Sequence, residues 1–227
     1  MKVTTDACLF GAWIAREEMT NGNNTVDPNV LDIGTGTGLL SLMYAQTNPS
    51  ASIDGIEIDD EAFSQARQNA NGSVFSDHIH VIHADVKIFP FTKKYDRVIT
   101  NPPFYDREII SPDERKNIAR HHAGLQLEEL TGLLKKLLSP DGVFYLLLPY
   151  KRKEEIKGIL LKQHLSILKI IFVKQSPKHD YFRIMIRGAL NQKTMSETGV
   201  DEILICEADG QYTNSFKGLL KEFYLDL

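Results

Sequence analysis

A proline-locked turn at residues 101–104 carries the most specific chemistry in this sequence. Asn101, Pro102, Pro103 and Phe104 follow a predicted strand over 95–100. Two prolines fix the backbone and remove two N–H donors, so the Asn101 side-chain oxygen and the Pro102 carbonyl remain as fixed acceptors. An aromatic amine has two N–H donors that such acceptors would satisfy, and Phe104 offers a flat face for stacking a base. In isolation the same tetrapeptide is also typical of a simple turn.

A glycine-rich turn, Asp32-Ile-Gly-Thr-Gly-Thr-Gly38, lies between a predicted strand over 30–33 and a predicted helix over 39–46. Gly34, Gly36 and Gly38 let the backbone turn sharply and approach a ligand closely. A dinucleotide fingerprint would place the third glycine one position later, and a phosphate-binding P-loop would need a lysine that is absent. The spacing therefore predicts a ligand close to the backbone without the pyrophosphate geometry.

Two carboxylates follow the next two predicted strands. Glu57 ends the strand over 52–57, where an α/β nucleotide site places a carboxylate that accepts hydrogen bonds from two ribose hydroxyls. Asp85 follows the strand over 80–83, and a carboxylate there can accept from an adenine amino group. Either residue alone is typical of a surface cap or an ion pair.

The combination of these motifs resembles the class I methyltransferases, which bind S-adenosylmethionine, over roughly residues 29–150. The tetrapeptide resembles the Asn-Pro-Pro-Phe/Tyr motif of enzymes that methylate exocyclic or amide nitrogens. The resemblance implies that Asn101, Pro102 and Phe104 are catalytic. It also implies a cofactor site made of Asp32, Gly34, Gly36, Gly38, Glu57, Asp85 and Asn101.

The chemistry of amine methylation suits fixed acceptors. The lone pair of an exocyclic amine is delocalised into its ring, so holding both hydrogens favours a lone pair directed at the methyl group. A sulfonium methyl is already electrophilic, so positioning carries much of the catalysis and no general base is needed before attack. A stacked base must be flipped out to reach such a pocket. Tyr105, Arg107, His121 and His122 are candidates for holding the displaced nucleotide.

Alternating strands and helices predict an α/β fold. The predicted helices span 39–46, 60–69 with Asp59 as its cap, and 125–138. The predicted strands span 30–33, 52–57, 80–83, 95–100, 143–148, 165–173 and 182–186. We expect a doubly wound, Rossmann-like class I methyltransferase fold, with a mostly parallel seven-stranded sheet and an antiparallel edge strand. Residues 1–227 are expected to form a single domain.

Composition and charge exclude several classes of function. Two cysteines that are far apart in the sequence form no zinc motif or disulfide framework, so we expect no metal. The sequence shows no signal peptide and no apolar run long enough to span a bilayer, which favours a cytoplasmic protein without a membrane partner.

The net charge is −4, yet residues 150–193 contain eleven Lys/Arg and three Asp/Glu, a local balance of +8. Such asymmetry indicates a basic face for RNA, although it is also typical of solvated helices and strands.

Features outside the central motifs narrow the resemblance. The opening segment 2–13, the Ala-Arg-His-His segment at 119–122 and the C-terminal segment 204–225 resemble the bacterial tRNA adenine-N6 methyltransferases that modify the adenosine 3′ of the anticodon in valine tRNA. This resemblance implies that Lys2 lies over the cofactor and that Thr5 and Asp6 close its methionine end. It also implies tRNA as the partner of a protein that we expect to be a monomer.

Three other functions remain open from the sequence. A guanine-N2 RNA methyltransferase and a protein glutamine-N5 methyltransferase use the same tetrapeptide chemistry, although the glutamine enzymes usually have tyrosine at the position of Phe104. A catalytically silent RNA-binding module on the same fold is the third.

Overall fold

The computed structural model describes residues 3–21, 26–102, 125–190 and 199–225. Its helices are α1 (Thr5–Asn21), α2 (Leu39–Thr47), α3 (Asp60–Asn71), α4 (Leu127–Leu137), α5 (Lys153–Lys162) and α6 (Asn214–Leu220). Its strands are β1 (Asn29–Ile33), β2 (Ser52–Glu57), β3 (Ile79–His83), β4 (Tyr95–Thr100), β5 (Leu138–Pro149), β6 (Leu165–Lys174), β7 (Tyr181–Leu190) and β8 (Gly199–Leu204). A short 3₁₀ turn, Tyr150–Arg152, joins β5 to α5.

The eight strands form one sheet in the order β3-β2-β1-β4-β5-β7-β6-β8. Neighbouring strands pair in parallel except at β7, which runs antiparallel to both β5 and β6. The predicted α/β fold with a mostly parallel sheet is therefore confirmed, and the antiparallel strand predicted for the edge is β7, which lies two strands in from the β8 edge. The described residues form a sheet of eight strands rather than the predicted seven, and β8 is the strand that the sequence analysis missed. As an edge strand it buries only Ile203, so it shows neither an apolar run nor a clear alternation.

Helices cover both faces of the sheet, which confirms the doubly wound arrangement. Buried side chains of α1, α2 and α6 pack on one face, and those of α4 and α5 pack on the opposite face. The predicted cap of α3 is also confirmed, since the Asp59 side chain accepts a hydrogen bond from the Ala62 amide at 2.9 Å. All eight strands belong to one sheet, and the assignment of the whole chain to a single domain stays a prediction.

The sequence analysis did not predict helix α1. Its residues Ala7–Ala15 are buried without interruption, so the helix lacks the polar stripe that reveals an amphipathic helix. A charged cluster fixes it to the sheet: the buried Glu18 carboxylate accepts from Arg97 Nε at 2.6 Å and from the Tyr145 hydroxyl at 2.6 Å. Helix α1 thereby has a fixed orientation, and its first turn lies near the sheet edge where the site is found.

Candidate active site

The carboxyl ends of β1 and β4 bring the two main sequence motifs together. Ile33 pairs with Thr100 in the parallel register of these neighbouring strands. The Thr100 hydroxyl also donates a hydrogen bond to the Ile33 carbonyl at 2.9 Å, and both atoms are buried. Gly34 and Asn101 therefore leave adjacent strands side by side, as expected for a ligand site at the carboxyl edge of an α/β sheet. Asn101 is half-buried and Pro102 is buried.

The three glycines of the turn adopt backbone conformations that residues with side chains rarely adopt. Gly34, Gly36 and Gly38 have φ angles of 68°, 59° and 79°, a left-handed conformation that strains any residue with a side chain. A Cβ built on Gly34 would meet no atom within 4 Å, whereas one on Gly38 would lie 3.6 Å from Ala66 of α3. The turn is therefore open at Gly34 and packed against α3 at Gly38.

Glu57 clamps the glycine turn from the end of β2. Its Oε2 accepts from the Gly36 amide at 2.9 Å, and its Oε1 accepts from the amides of Ile58 and Asp59 at 2.8 Å and 2.9 Å. A carboxylate offers about four lone-pair sites. Glu57 is therefore partly committed to the fold, a role that the sequence analysis did not assign to it.

Asp32 lies completely buried beneath the turn, and its two carboxylate oxygens differ. Oδ2 accepts from the hydroxyls of Thr35 at 2.7 Å and Ser41 at 2.8 Å. Oδ1 is buried and has no hydrogen-bond donor in the part of the chain that the structure describes. Burial raises the pKa of Asp32 to about 6, while the Thr35 and Ser41 hydrogen bonds lower it and the charge of Glu57 raises it. An unpaired buried carboxylate oxygen is costly, so it points to a donor supplied by a ligand.

Asp85 lies at the same edge, two strands from β1. The neighbouring Ala84 amide donates to the Glu57 carbonyl at 3.0 Å, which ties this loop to the end of β2. Asp85 Oδ1 accepts from the Lys87 amide at 2.9 Å, and Oδ2 lies 3.9 Å from the Lys87 ammonium. The structure therefore brings Asp85 to the site, with part of its acceptor capacity used by its own turn.

Thr5 and Asp6 begin α1 on the other side of the site. Thr5 is exposed, and Asp6 Oδ2 accepts from Arg183 Nε at 2.7 Å. Arg183 pairs with Pro149 across β5 and β7, so the ion pair joins α1 to the carboxyl edge of the sheet. Sequence reasoning missed Arg183 as a site neighbour because 177 positions separate it from Asp6.

Comparison with known proteins identifies the family. A family model described as "Methyltransferase small domain" matches residues 17–129. A tRNA1(Val) (adenine(37)-N6)-methyltransferase of Dyadobacter fermentans is 39% identical over 99% of this chain and 91% of the relative. A protein of the same name from Proteus mirabilis is 33% identical over 99% of this chain and 88% of that relative. This chain belongs to the tRNA1(Val) (adenine(37)-N6)-methyltransferase family.

Solved structures support the same fold for this family member. A predicted O-methyltransferase from Agrobacterium tumefaciens superposes with a TM-score of 0.70 at 18% identity and covers 95% of both chains. A glycopeptide N-methyltransferase complexed with S-adenosylmethionine has a TM-score of 0.56 at 11% identity, covering 79% of this chain and 94% of its own. The predicted class I methyltransferase fold is confirmed. Within the ranges described above, no helix is both long and apolar enough to cross a membrane.

Several residues proposed for this family member from its sequence lie outside the described residues. They are Lys2, Phe104, Tyr105, Arg107, His121 and His122. The structure adds Ile58, which sequence reasoning missed: it directly follows Glu57, and 54% of this apolar residue is exposed at the edge of the site. An exposed isoleucine next to a buried carboxylate offers an apolar surface to a ligand whose polar groups reach Glu57.

The unfolding free energy of the wild-type protein is expected to fall as the pH rises, and replacement of Asp32 by asparagine should remove this dependence. Burial raises the pKa of Asp32 from 3.8 to about 6 in the folded protein, so folding favours the protonated form. The wild-type protein should therefore lose unfolding free energy as the pH rises from about 4 to about 6, by up to about 3 kcal/mol. Urea unfolding of the wild type and Asp32→Asn across this range measures the loss, with the exposed Asp77→Asn as the control. If the unfolding free energies of the wild type and Asp32→Asn differ by the same amount at both ends of this pH range, the expectation is contradicted.

Proposed function

We propose that this protein transfers a methyl group from S-adenosylmethionine to the N6 amine of adenosine 37 in a valine tRNA. The observation that carries the proposal is the adjacency of Asn101 and the glycine turn at the ends of β4 and β1. Because of this adjacency, Asn101, whose side chain can hold an amine, lies beside the glycine turn, whose backbone can approach a small-molecule ligand closely. The names of the full-length relatives support adenosine 37 of valine tRNA as the target.

The residues present fit the methyl donor. Gly34 leaves open space next to the backbone, and the buried Asp32 Oδ1 needs a donor of the kind that an amino group provides. Glu57 offers its remaining acceptor capacity to a ribose hydroxyl, and Ile58 offers an apolar surface to a base. When bound, S-adenosylmethionine supplies an electrophilic methyl group on a sulfonium. Thr5, Asp6 and Asp85 complete the proposed cofactor site.

The protein's own contribution to the reaction is positioning. Asn101 accepts one N–H of the target amine through its side-chain oxygen, and the Pro102 carbonyl accepts the other. Because Thr100 is hydrogen-bonded to Ile33, this loop begins from a fixed point beside the glycine turn. Holding both hydrogens directs the nitrogen lone pair toward the methyl group, and fixed geometry lowers the barrier with no general base needed before attack. The nitrogen gains the methyl group as the donor's carbon–sulfur bond breaks, and the methylated nitrogen then releases one proton to solvent. Phe104 stacks on the flipped base.

The proposed tRNA contact uses the basic segment 150–193, and the structure refines the charge count. Some of its cations are paired with carboxylates from other parts of the chain: Lys169 lies 2.7 Å from Glu17 and Arg183 lies 2.7 Å from Asp6. The effective positive charge of this face is therefore smaller than the local balance of +8.

Because the proposed substrate is a tRNA, we expect the reaction to take place in the cytoplasm. We also expect the protein to act as a monomer.

The test compares methyl acceptors of different classes. Purified protein and labelled S-adenosylmethionine are incubated with a valine tRNA transcript, the same transcript carrying guanosine at position 37, and a release-factor protein. Transfer to the first transcript alone is the expected result. Transfer to the guanosine transcript at the same nucleotide would favour guanine-N2 chemistry, and transfer to the protein would favour glutamine methylation. No transfer to any acceptor, with the donor bound, would favour a silent RNA-binding module.

A further inference from the structure

Three half-buried aromatic rings meet at the carboxyl edge of the sheet, on the face covered by α4 and α5. Tyr150 follows β5, Phe172 lies near the end of β6, and Tyr181 begins β7. The ring centroids are 5.7 Å apart for Tyr150–Phe172, 5.1 Å for Tyr150–Tyr181 and 5.3 Å for Phe172–Tyr181. We call these three residues the aromatic platform. None of them has a place in the proposed methyl-transfer site.

Two lysines cover the aromatic platform. The Lys153 ammonium lies 5.1 Å from the Tyr150 ring centroid and 5.6 Å from that of Phe172, and the Lys174 ammonium lies 4.4 Å from that of Tyr181. Each lysine has a carboxylate nearby, with Lys153 3.1 Å from Glu154 and Lys174 3.5 Å from Glu202. Both carboxylates are exposed, at 77% and 39%, so these ion pairs are weak, and Glu202 also accepts a hydrogen bond from the Tyr181 hydroxyl.

The aromatic platform lies at the same edge of the sheet as Asn101, on the side of β4 away from the glycine turn. Thr100 of β4 pairs with Leu146 of β5, and Tyr150 comes four residues later along the same edge. From the rise of a strand and the spacing between strands, the platform begins about 10–15 Å from Asn101. Nucleotides that adjoin a base held at Asn101 would reach this distance.

The chemistry of the cluster matches single-stranded nucleic acid. Aromatic rings stack on any base, while lysines beside them contact the phosphates that connect the bases. An ammonium placed over a ring can move a short distance to a phosphate when a base takes its position. A surface that served only to close the core would place aliphatic side chains here as readily, and it would not concentrate two cations over its rings.

We propose that the aromatic platform, with Lys153 and Lys174, binds the unpaired nucleotides next to the methylated adenosine. The inference rests on the proposed function for the identity of its RNA, a tRNA anticodon loop. It assigns substrate binding to five residues at the ends of β5 and β6 and the starts of α5 and β7. The platform residues contact neither the methyl donor nor the reacting amine.

The experiment uses the isolated anticodon stem-loop of a valine tRNA as the probe and measures its affinity for the full-length protein by fluorescence anisotropy. The double variant Tyr150→Leu/Tyr181→Leu keeps apolar volume and removes stacking, and should raise Kd by about 10-fold or more. Lys153→Ala/Lys174→Ala should lower the slope of log affinity against log salt by about 1.4. Affinity for S-adenosylmethionine and the unfolding midpoint should remain near wild type in both.

Matched controls lie elsewhere on the protein. Tyr224→Leu removes an aromatic residue near Cys8 and Met43 on the opposite face of the sheet, and Lys135→Ala removes an exposed cation from the last turn of α4, outside the basic segment 150–193. Neither control should change stem-loop binding. If the two double variants bind the stem-loop as these controls do, the platform assignment is wrong, whether or not the wild type methylates tRNA.

A second measurement does not depend on the variants folding. Wild-type protein is irradiated with stem-loops carrying 5-iodouridine next to the target adenosine, and cross-linked peptides are identified by mass spectrometry. Cross-links to Tyr150 or Tyr181 are expected, and cross-links found only elsewhere would overturn the inference. Binding that depends on the platform, together with no methyl transfer by the wild type, would instead overturn the proposed function and leave the platform standing.

Discussion

Replacement of Asn101 by alanine is expected to slow methyl transfer to tRNA by about 100-fold or more, comparable to removing one preorganised polar contact at a reacting centre. The reason is geometric: the Asn101 oxygen is one of two acceptors fixed in advance for the hydrogens of a single amine. The fold should tolerate the change, since the Thr100–Ile33 hydrogen bond and the buried Pro102 still hold the start of the loop.

Single-turnover transfer of labelled methyl to tRNA measures this effect, because it isolates the chemical step from product release. Thermal unfolding of the same samples should give near wild-type midpoints, and calorimetry should show that they still bind S-adenosylmethionine. Asn71→Ala, an exposed asparagine at the end of α3, is the matched control and should transfer at the wild-type rate. A fully active Asn101→Ala enzyme would mean that the tetrapeptide is only a turn.

Replacement of Glu57 is expected to weaken binding of S-adenosylmethionine by about 100-fold or more. Glu57→Ala removes the carboxylate oxygen that accepts a hydrogen bond from a ribose hydroxyl of the ligand, and a charge-assisted hydrogen bond of this kind is worth about 1.5–3 kcal/mol before water compensates. It also leaves the Gly36, Ile58 and Asp59 amides without their acceptor, so the glycine turn itself should loosen. The loss of affinity should therefore be accompanied by a lower unfolding midpoint.

Two further variants separate these contributions to Glu57 function. Glu57→Gln keeps the size of the side chain and one acceptor oxygen, so it should bind the ligand better than Glu57→Ala and still worse than wild type. Glu61→Gln, an exposed residue of α3, should have no effect on either measurement. Titration calorimetry of each folded variant with S-adenosylmethionine measures these affinities. Unchanged affinity in a folded Glu57→Ala protein would remove Glu57 from the cofactor site.

Features with a local physical cause could be predicted from the sequence. The glycine turn has its conformation because three residues without side chains permit positive φ, and α3 begins where Asp59 can cap it. The positions of Glu57 and Asn101 followed from a general property of parallel sheets, whose carboxyl ends share one edge. These inferences needed only residue types and their order.

Features that depend on distant pairs could not be predicted in the same way. The Asp6–Arg183 ion pair and the Glu18–Arg97 cluster join segments whose proximity is set only by the complete sheet. The same limit applies to Glu57: its position was predicted, while its hydrogen bond to the Gly36 amide depends on how β1 and β2 align. The sequence count of charge in 150–193 overstated the basic face because its partners, such as Glu17, lie far away in the chain.

The central claim is methylation of adenosine 37 in a valine tRNA, and nucleoside mass spectrometry tests it most directly. Valine tRNA is purified from cells that lack this protein and from the same cells complemented with the wild type or with Asn101→Ala. The account predicts that N6-methyladenosine at this position is lost on deletion, restored by the wild type and not restored by Asn101→Ala. An unchanged level of N6-methyladenosine in valine tRNA from cells lacking the protein would contradict it.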